Sequence, residues 1–157
     1  MSESGNMMQW RIREAVPADV PNILAIERQA FSIPWNEESI LGWIRGENRC
    51  YYLAEEAEFG VLLGYLGVFF VAGEGEIASV AVGAPFRKYG VGKSLFRHLK
   101  GICRRDRVGS LFLEVREKNV PALALYESEG FERVGFRRGY YPDTGEGAVL
   151  MKTFIHP

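Results

Sequence analysis

A chain of 157 residues and 17.7 kDa has room for one domain with a complete core. Its 47% hydrophobic, 13% aromatic and 25% charged residues are the balance of a globular protein, which excludes a disordered tail or linker. A net charge of only −1 argues against a general nucleic-acid binder.

The opening residues are polar, and a disordered N-terminal segment over 1–8 is expected ahead of a single domain over 9–157. No apolar stretch with a cleavage site opens the chain. The longest apolar run, Val61 to Ala72, is too short to cross a bilayer, so a cytoplasmic protein without a membrane partner is expected. Trp10-Arg11-Ile12-Arg13 alternates like a short strand. Asp19 is a candidate N-cap for a helix with Val20, Ile23, Leu24 and Phe31 at helical spacing. Pro34 interrupts, and Asn36 can cap a second helix whose first turn holds Glu37 and Glu38 near the positive dipole end.

Tyr51 to Ala54, Val61 to Val71 and Glu76 to Val82 read as three strands separated by Glu- and Gly-containing turns. Val91, Leu95, Leu99 and Ile102 then form the apolar stripe of an amphipathic helix whose other face is basic. Leu111 to Val115 has the apolar character of a strand in a covered sheet. The next helix runs from about Val120 to Glu129, with Asn119 as a possible cap, Pro121 in its first turn and Gly130 past its end. Phe131 to Tyr141 and Ala148 to Phe154 close the chain as two antiparallel strands. The predicted fold is α+β, a mixed sheet with helices on its faces.

Charge is unevenly placed along this order. Residues 1–86 carry 5 basic and 12 acidic side chains, whereas 87–157 carry 14 and 8. Arg87 to Arg107 holds Arg87, Lys88, Lys93, Arg97, Lys100, Arg104, Arg105 and Arg107 against the single Asp106. Two ligands of opposite sign are one reading, a polyanion at the basic segment and a cationic partner at the acidic half; a solvated basic helix face is the other. Cys50 and Cys103 are too far apart for a C-x-x-C pair, and His98 and His156 cannot build a metal site alone, so no metal is expected.

Gly90-Val91-Gly92-Lys93-Ser94 matches the end of the nucleotide-binding pattern G-x-x-x-x-G-K-[ST], yet position 87, where the first glycine belongs, is Arg. A strand ending at Val82, a turn over Arg87-Lys88-Tyr89-Gly90-Val91-Gly92 and a helix opening there still aim free N–H groups and a dipole end at one point. Arg87, Lys88 and Lys93 add charge suited to a pyrophosphate. An isolated G-x-G also opens many ordinary surface helices.

Together with the order of elements, this turn resembles the GNAT superfamily of acyl-CoA-dependent N-acyltransferases, whose signature [RQ]-x-x-G-x-[GA] is met by Arg87-Lys88-Tyr89-Gly90-Val91-Gly92. Phe31-Ser32-Ile33-Pro34-Trp35, Leu113-Glu114-Val115-Arg116, Asn119, Ala124-Leu125-Tyr126-Glu127, Gly130-Phe131 and Arg138-Gly139-Tyr140-Tyr141-Pro142 are similar to the branch that acetylates the N-terminal alanine of small-subunit ribosomal protein 18. Two departures stand out. Pro85 lies three residues past Val82 where the family has two, and the family's Glu-Asp-Ala is Glu146-Gly147-Ala148.

The resemblance implies a seven-stranded, mostly antiparallel mixed sheet with about four helices, and acetyl-CoA as acetyl donor. It implies Glu114 as general base, directly or through water, and Tyr126 as general acid toward the CoA thiolate. Read from the residues alone, a strand carboxylate more often pairs with an arginine such as Arg116, and a tyrosine more often packs its ring in the core. Val80, Ala81 and Val82 are implied to face the thioester carbonyl from a bulged strand, with Arg87 to Lys93 on the diphosphate. Asn119 is implied to contact CoA, although N-capping explains it equally well.

The amine would approach between Pro34-Trp35 and Tyr140-Tyr141. The acidic first half, with Glu37, Glu38 and Glu146, suits a basic ribosomal N-terminal peptide as partner. Other protein N-termini, lysines or small amines remain alternative acceptors, and a non-catalytic acyl-CoA-binding subunit is the alternative outside enzymes.

Overall fold

The computed structural model describes residues 8–157. The expectation of disorder for the first residues lies outside the described residues, apart from Met8, which packs against the core. Strands β1 (Trp10–Glu14), β2 (Arg49–Glu56), β3 (Leu62–Val71), β4 (Glu74–Val82), β5 (Ser110–Arg116), β6 (Glu132–Arg137) and β7 (Ala148–Phe154) form one sheet in the order β1-β2-β3-β4-β5-β7-β6. Only β4 and β5 run parallel; every other pairing is antiparallel. Four helices cover it: α1 (Val20–Ala30), α2 (Glu37–Arg45), α3 (Val91–Arg105) and α4 (Val120–Ser128). Among the described residues, no helix is long and apolar enough to cross a membrane.

The period-2 alternation of the strands sends side chains to two separate cores. On one face Leu95, Phe96 and Leu99 of α3 pack with Leu66, Val68, Leu111 and Leu113, all fully or almost fully buried. On the other, Ile23 and Leu24 of α1 and Ile40 of α2 pack on Tyr51, Leu53, Tyr65 and Ala81. Each fully buried Leu, Ile or Phe contributes roughly 1.5–3 kcal/mol relative to exposure, so both faces anchor their helices firmly. Burial also pushes the thiols of Cys50 and Cys103 up to about 11, which keeps both as inert packing groups rather than nucleophiles.

The caps follow local chemistry in two of three cases. Asn36 accepts a hydrogen bond from the Ser39 N–H at 2.8 Å, and Asn119 accepts one from Ala122 at 3.3 Å. Asp19 stands at the N-cap of α1 as expected but gives that helix no side-chain bond: its carboxylate accepts the Val16 N–H at 2.7 Å and takes a bidentate pair from Arg13 at 2.8 and 2.9 Å. The Arg13 fork and the Val16 N–H together occupy both carboxylate oxygens. The expected strand from Phe131 to Tyr141 is shorter, ending at Arg137. Gly139 turns the chain with φ 61°, so Tyr140 and Tyr141 lie in a loop rather than a ladder.

Candidate active site

Strands β4 and β5 pair only from Glu74↔Ser110 to Ile77↔Leu113. Just beyond, the β3–β4 register shifts from Val68↔Ile77 to Gly67↔Ser79, leaving Ala78 as the extra residue of a bulge. The two parallel strands then part, so Ser79 to Val82 keep a neighbour on the β3 side alone. The Gly83 N–H donates to the Leu63 carbonyl at 2.8 Å, and ladder bonds alternate along an antiparallel pair. Ala81 therefore bonds toward β3, while the backbone groups of Val80 and Val82 point into the opening.

A cavity of about 890 Å³ occupies this opening. Val80, Ala81, Val82, the whole turn Arg87, Lys88, Tyr89, Gly90, Val91, Gly92 and Lys93, and Asn119 and Tyr126 all line it. Sequence reasoning missed Ala30 and Phe31 at the end of α1, Phe86, and Pro121, Ala122 and Leu125 of α4. Ala122 lies one turn before Tyr126 at i−4, and Leu125 lies three residues past Ala122, spacings that mark them once Tyr126 is chosen.

The extra residue before Pro85 is absorbed by a 3-10 turn over Ala84–Phe86, closed by the Phe86 N–H on the Gly83 carbonyl at 2.8 Å. Lys88 and Gly90 then adopt left-handed φ of 71° and 92°, reversing the chain so that α3 opens with no side-chain cap. Its first-turn N–H groups and positive dipole end face the cavity rim beside exposed Arg87, Lys88 and Lys93. A dianion fits this turn without further support. Gly92 faces the cavity wall, where a Cβ would already stand 3.3 Å from Leu125 Cδ2.

Glu114 and Tyr126 stand on opposite faces of the sheet. Leu111, Leu113 and Val115 are buried with α3, so Glu114 between them points to the α1/α2 face. Tyr126 packs its ring on Phe96 at 5.6 Å and Phe131 at 6.1 Å, on the α3/α4 face. Desolvation first, then the Tyr141 phenol, pushes Tyr126 up to about 12, so its proton is held across the neutral range. Glu114 does not line the cavity. Its nearest cation is Arg137 at 3.9 Å, not Arg116, and its hydrogen bond and charge raise the Tyr140 phenol above its ordinary value.

Arg116 is engaged elsewhere. It holds Asp143 at 2.9 Å and Glu146 at 3.1 Å and stacks on Tyr141 with 4.0 Å to the ring centroid. Its hydrogen bonds, joined by one from Ser32 Oγ at 2.6 Å, hold Asp143 down at about 2. The Ser32 bond ties the α1–α2 linker to the β6–β7 loop. Pro34 and Trp35 on one side and Tyr140 and Tyr141 on the other thus belong to two segments joined by that contact, though none of the four lines the cavity itself. Tyr140 packs edge-on against Tyr141 at 5.1 Å, and Trp35 against Trp43 at 5.2 Å. Glu146, expected as a free acid for a basic partner, is instead neutralised by Arg116 and bonds the Lys118 N–H. At position 147, where the family carries a carboxylate, a Cβ would fall 2.6 Å from Phe136 Cε1, so no side chain fits.

A parallel strand pair that parts at a bulge, beside a helix entrance with free N–H groups and a phenol in the cavity lining, is the frame of an N-acyltransferase. The acetyltransferase (GNAT) family matches residues 19–131, and the chain belongs to it. It is 33% identical over 138 residues to a putative ribosomal protein bS18-alanine N-acetyltransferase of Bacillus subtilis, covering 88% of this chain and 91% of that one. It is 32% identical over 135 residues to the ribosomal protein bS18-alanine N-acetyltransferase of Escherichia coli K12, covering 85% and 89%. The crystal structure of the Escherichia coli ribosomal-protein-S18-alanine N-acetyltransferase superposes with a TM-score of 0.85 at 30% identity, covering 95% and 96%. The chain is an N-acetyltransferase of the class that takes its acyl group from acetyl-CoA.

Proposed function

We propose that this enzyme acetylates the α-amino group of a protein N-terminus, with the N-terminal alanine of ribosomal protein bS18 as substrate. The observation that carries the reading is the opening between β4 and β5, which lets two ligands meet from opposite faces of one sheet. The names of the relatives supply the acceptor.

In this reading the turn from Arg87 to Lys93 holds the diphosphate of acetyl-CoA, and the thioester arm lies along β4 in place of a strand. The inward N–H groups of Val80 and Val82 meet the carbonyl oxygen where negative charge develops. An α-amino group with a pKa of about 7.7–8.0 arrives largely protonated at neutral pH and must lose that proton before it attacks. Glu114, on the acceptor face, takes it directly or through water. The new bond joins the amine nitrogen to the acetyl carbon as the C–S bond breaks; Tyr126 gives its proton to the leaving sulfur from the other face, and the second proton that the nitrogen sheds on becoming an amide passes to water, from which the phenolate is reprotonated. Asn119 caps α4 with its side-chain oxygen and keeps its amide N–H groups for the cofactor.

Mass spectrometry after incubation with acetyl-CoA tests the assignment. A bS18 N-terminal peptide is expected to gain one acetyl group on its first residue, and to outcompete a lysine-bearing peptide with a blocked N-terminus and a polyamine. Preferred modification of either competitor would refute the acceptor named here.

A further inference from the structure

Glu27 is 4% exposed, on the sheet-facing side of α1, and among the described residues no cation pairs with it. A buried acid in an apolar layer is tolerated only through its hydrogen bonds, and it has two. Its carboxyl accepts from the Trp35 N–H at 3.1 Å and from the Tyr65 hydroxyl.

Both donors matter by their place. Among the described residues, Trp35 N–H is the only backbone group of the stretch 32–35 with a hydrogen bond, so the Glu27 carboxyl is the sole anchor of that stretch's backbone. Tyr65 sits on β3 opposite Ala81, which lines the cavity, and Ala30 and Phe31, one turn past Glu27, line it as well. One carboxyl thus joins the linker to β3, the strand paired with the cavity-lining end of β4.

We propose that Glu27 is a positioning residue for the acceptor peptide: it fixes the Pro34-Trp35 segment against the β3–β4 edge, so that the wall along which the amine approaches is already formed before the peptide binds. The inference rests on the reading of that side as the acceptor side. It assigns Glu27 no contact with the reacting atoms, and its effect falls on peptide binding rather than on acetyl-CoA.

Two variants separate the parts. Glu27→Leu keeps similar bulk and removes both acceptors, whereas Glu27→Gln keeps an oxygen for the Trp35 N–H. The leucine variant is expected to raise KM for an Ala-starting basic peptide by about tenfold, with acetyl-CoA KM changed less than about twofold and the Trp35 amide exchanging hydrogen faster. The glutamine variant is expected to return peptide KM to within about threefold of the parent. Should the leucine variant not fold, Tyr65→Phe, which withdraws one donor and keeps the ring, is expected to raise peptide KM alone.

Equal changes in both KM values, an unchanged peptide KM, or a glutamine variant as impaired as the leucine one would overturn the proposal. If the parent protein acetylates no N-terminal peptide, the functional reading fails instead. The Trp35 amide then still decides whether Glu27 pins the linker: an unchanged exchange rate in Glu27→Leu overturns that as well.

Discussion

In the proposed mechanism Glu114 and Tyr126 act on one reaction without touching each other, through the opening between β4 and β5. Each is held by its own surroundings. Arg137 and Tyr140 attend the carboxylate on the α1/α2 face, and Phe96 and Phe131 pack on the phenol on the α3/α4 face. Glu114→Gln and Tyr126→Phe are each expected to lower kcat by roughly 10²–10⁴-fold, with CoA affinity from calorimetry little changed. The pH profile tests the phenol separately. Its pKa of about 12 lies above the ordinary value near 10, so the proton that it donates is present at neutral pH and is lost only as pH climbs toward 12. The substrate amine must shed its proton near pH 7.7–8.0, about where kcat/KM is expected to rise before running flat to about pH 10. A descending limb centred between pH 9 and 10 would mean an unshifted phenol and contradict the buried one.

At the scale of elements, the entrance of α3 depends on one backbone reversal. Gly90 has φ 92° with open space around its missing Cβ, so Gly90→Ala meets no clash and only the left-handed strain, about 1–2 kcal/mol. Thermal unfolding is expected to show that loss, and CoA affinity to fall with it as the first-turn N–H groups shift. The Asp143 junction answers to acid. Its folded pKa of about 2 lies below the ordinary 3.9, so its contribution is complete above pH 4 and disappears as pH falls toward 2. Hydrogen exchange in the turn 139–147 is expected to quicken over that window and not before; loosening centred at pH 4 would mean that Arg116 does not hold the carboxylate. These elements differ in how far the sequence revealed them. Asn36, Asn119 and the 87–93 turn were legible because each works within one short, continuous stretch of chain. The place of Asp19 at the start of α1 was legible too, but not its Arg13 fork, which reaches it from β1. Arg137 as the partner of Glu114 was not either, because the pair forms only through the β5–β7–β6 register.

Across the whole molecule the uneven charge of the sequence becomes a difference between faces. The acidic first 86 residues supply α1 and α2 on one face of the sheet, while the basic remainder supplies α3 on the other and the turn 87–93 that leads into it. Composition along the chain foretold this polarity, but not which acids stay available. Glu55 and Asp19 are spent on Arg11 and Arg13, Glu27 is buried, and Glu146 belongs to Arg116. Glu37 and Glu38 remain exposed in the first turn of α2, directly after the Pro34-Trp35 linker, and among the described residues no cation pairs with them. Exposed charges contribute about 0.2–1 kcal/mol each, so neutralising both as Gln is expected to raise KM for a basic Ala-starting peptide roughly two- to tenfold and to leave a neutral peptide unaffected. Screening distinguishes this from a packing change, because the Debye length shrinks from about 30 Å at 0.01 M salt to about 3 Å at 1 M. The gap between parent and double variant is therefore expected to close as salt rises; a gap that persists at 1 M, or one shared by the neutral peptide, would show that the acidic face does not recruit the substrate.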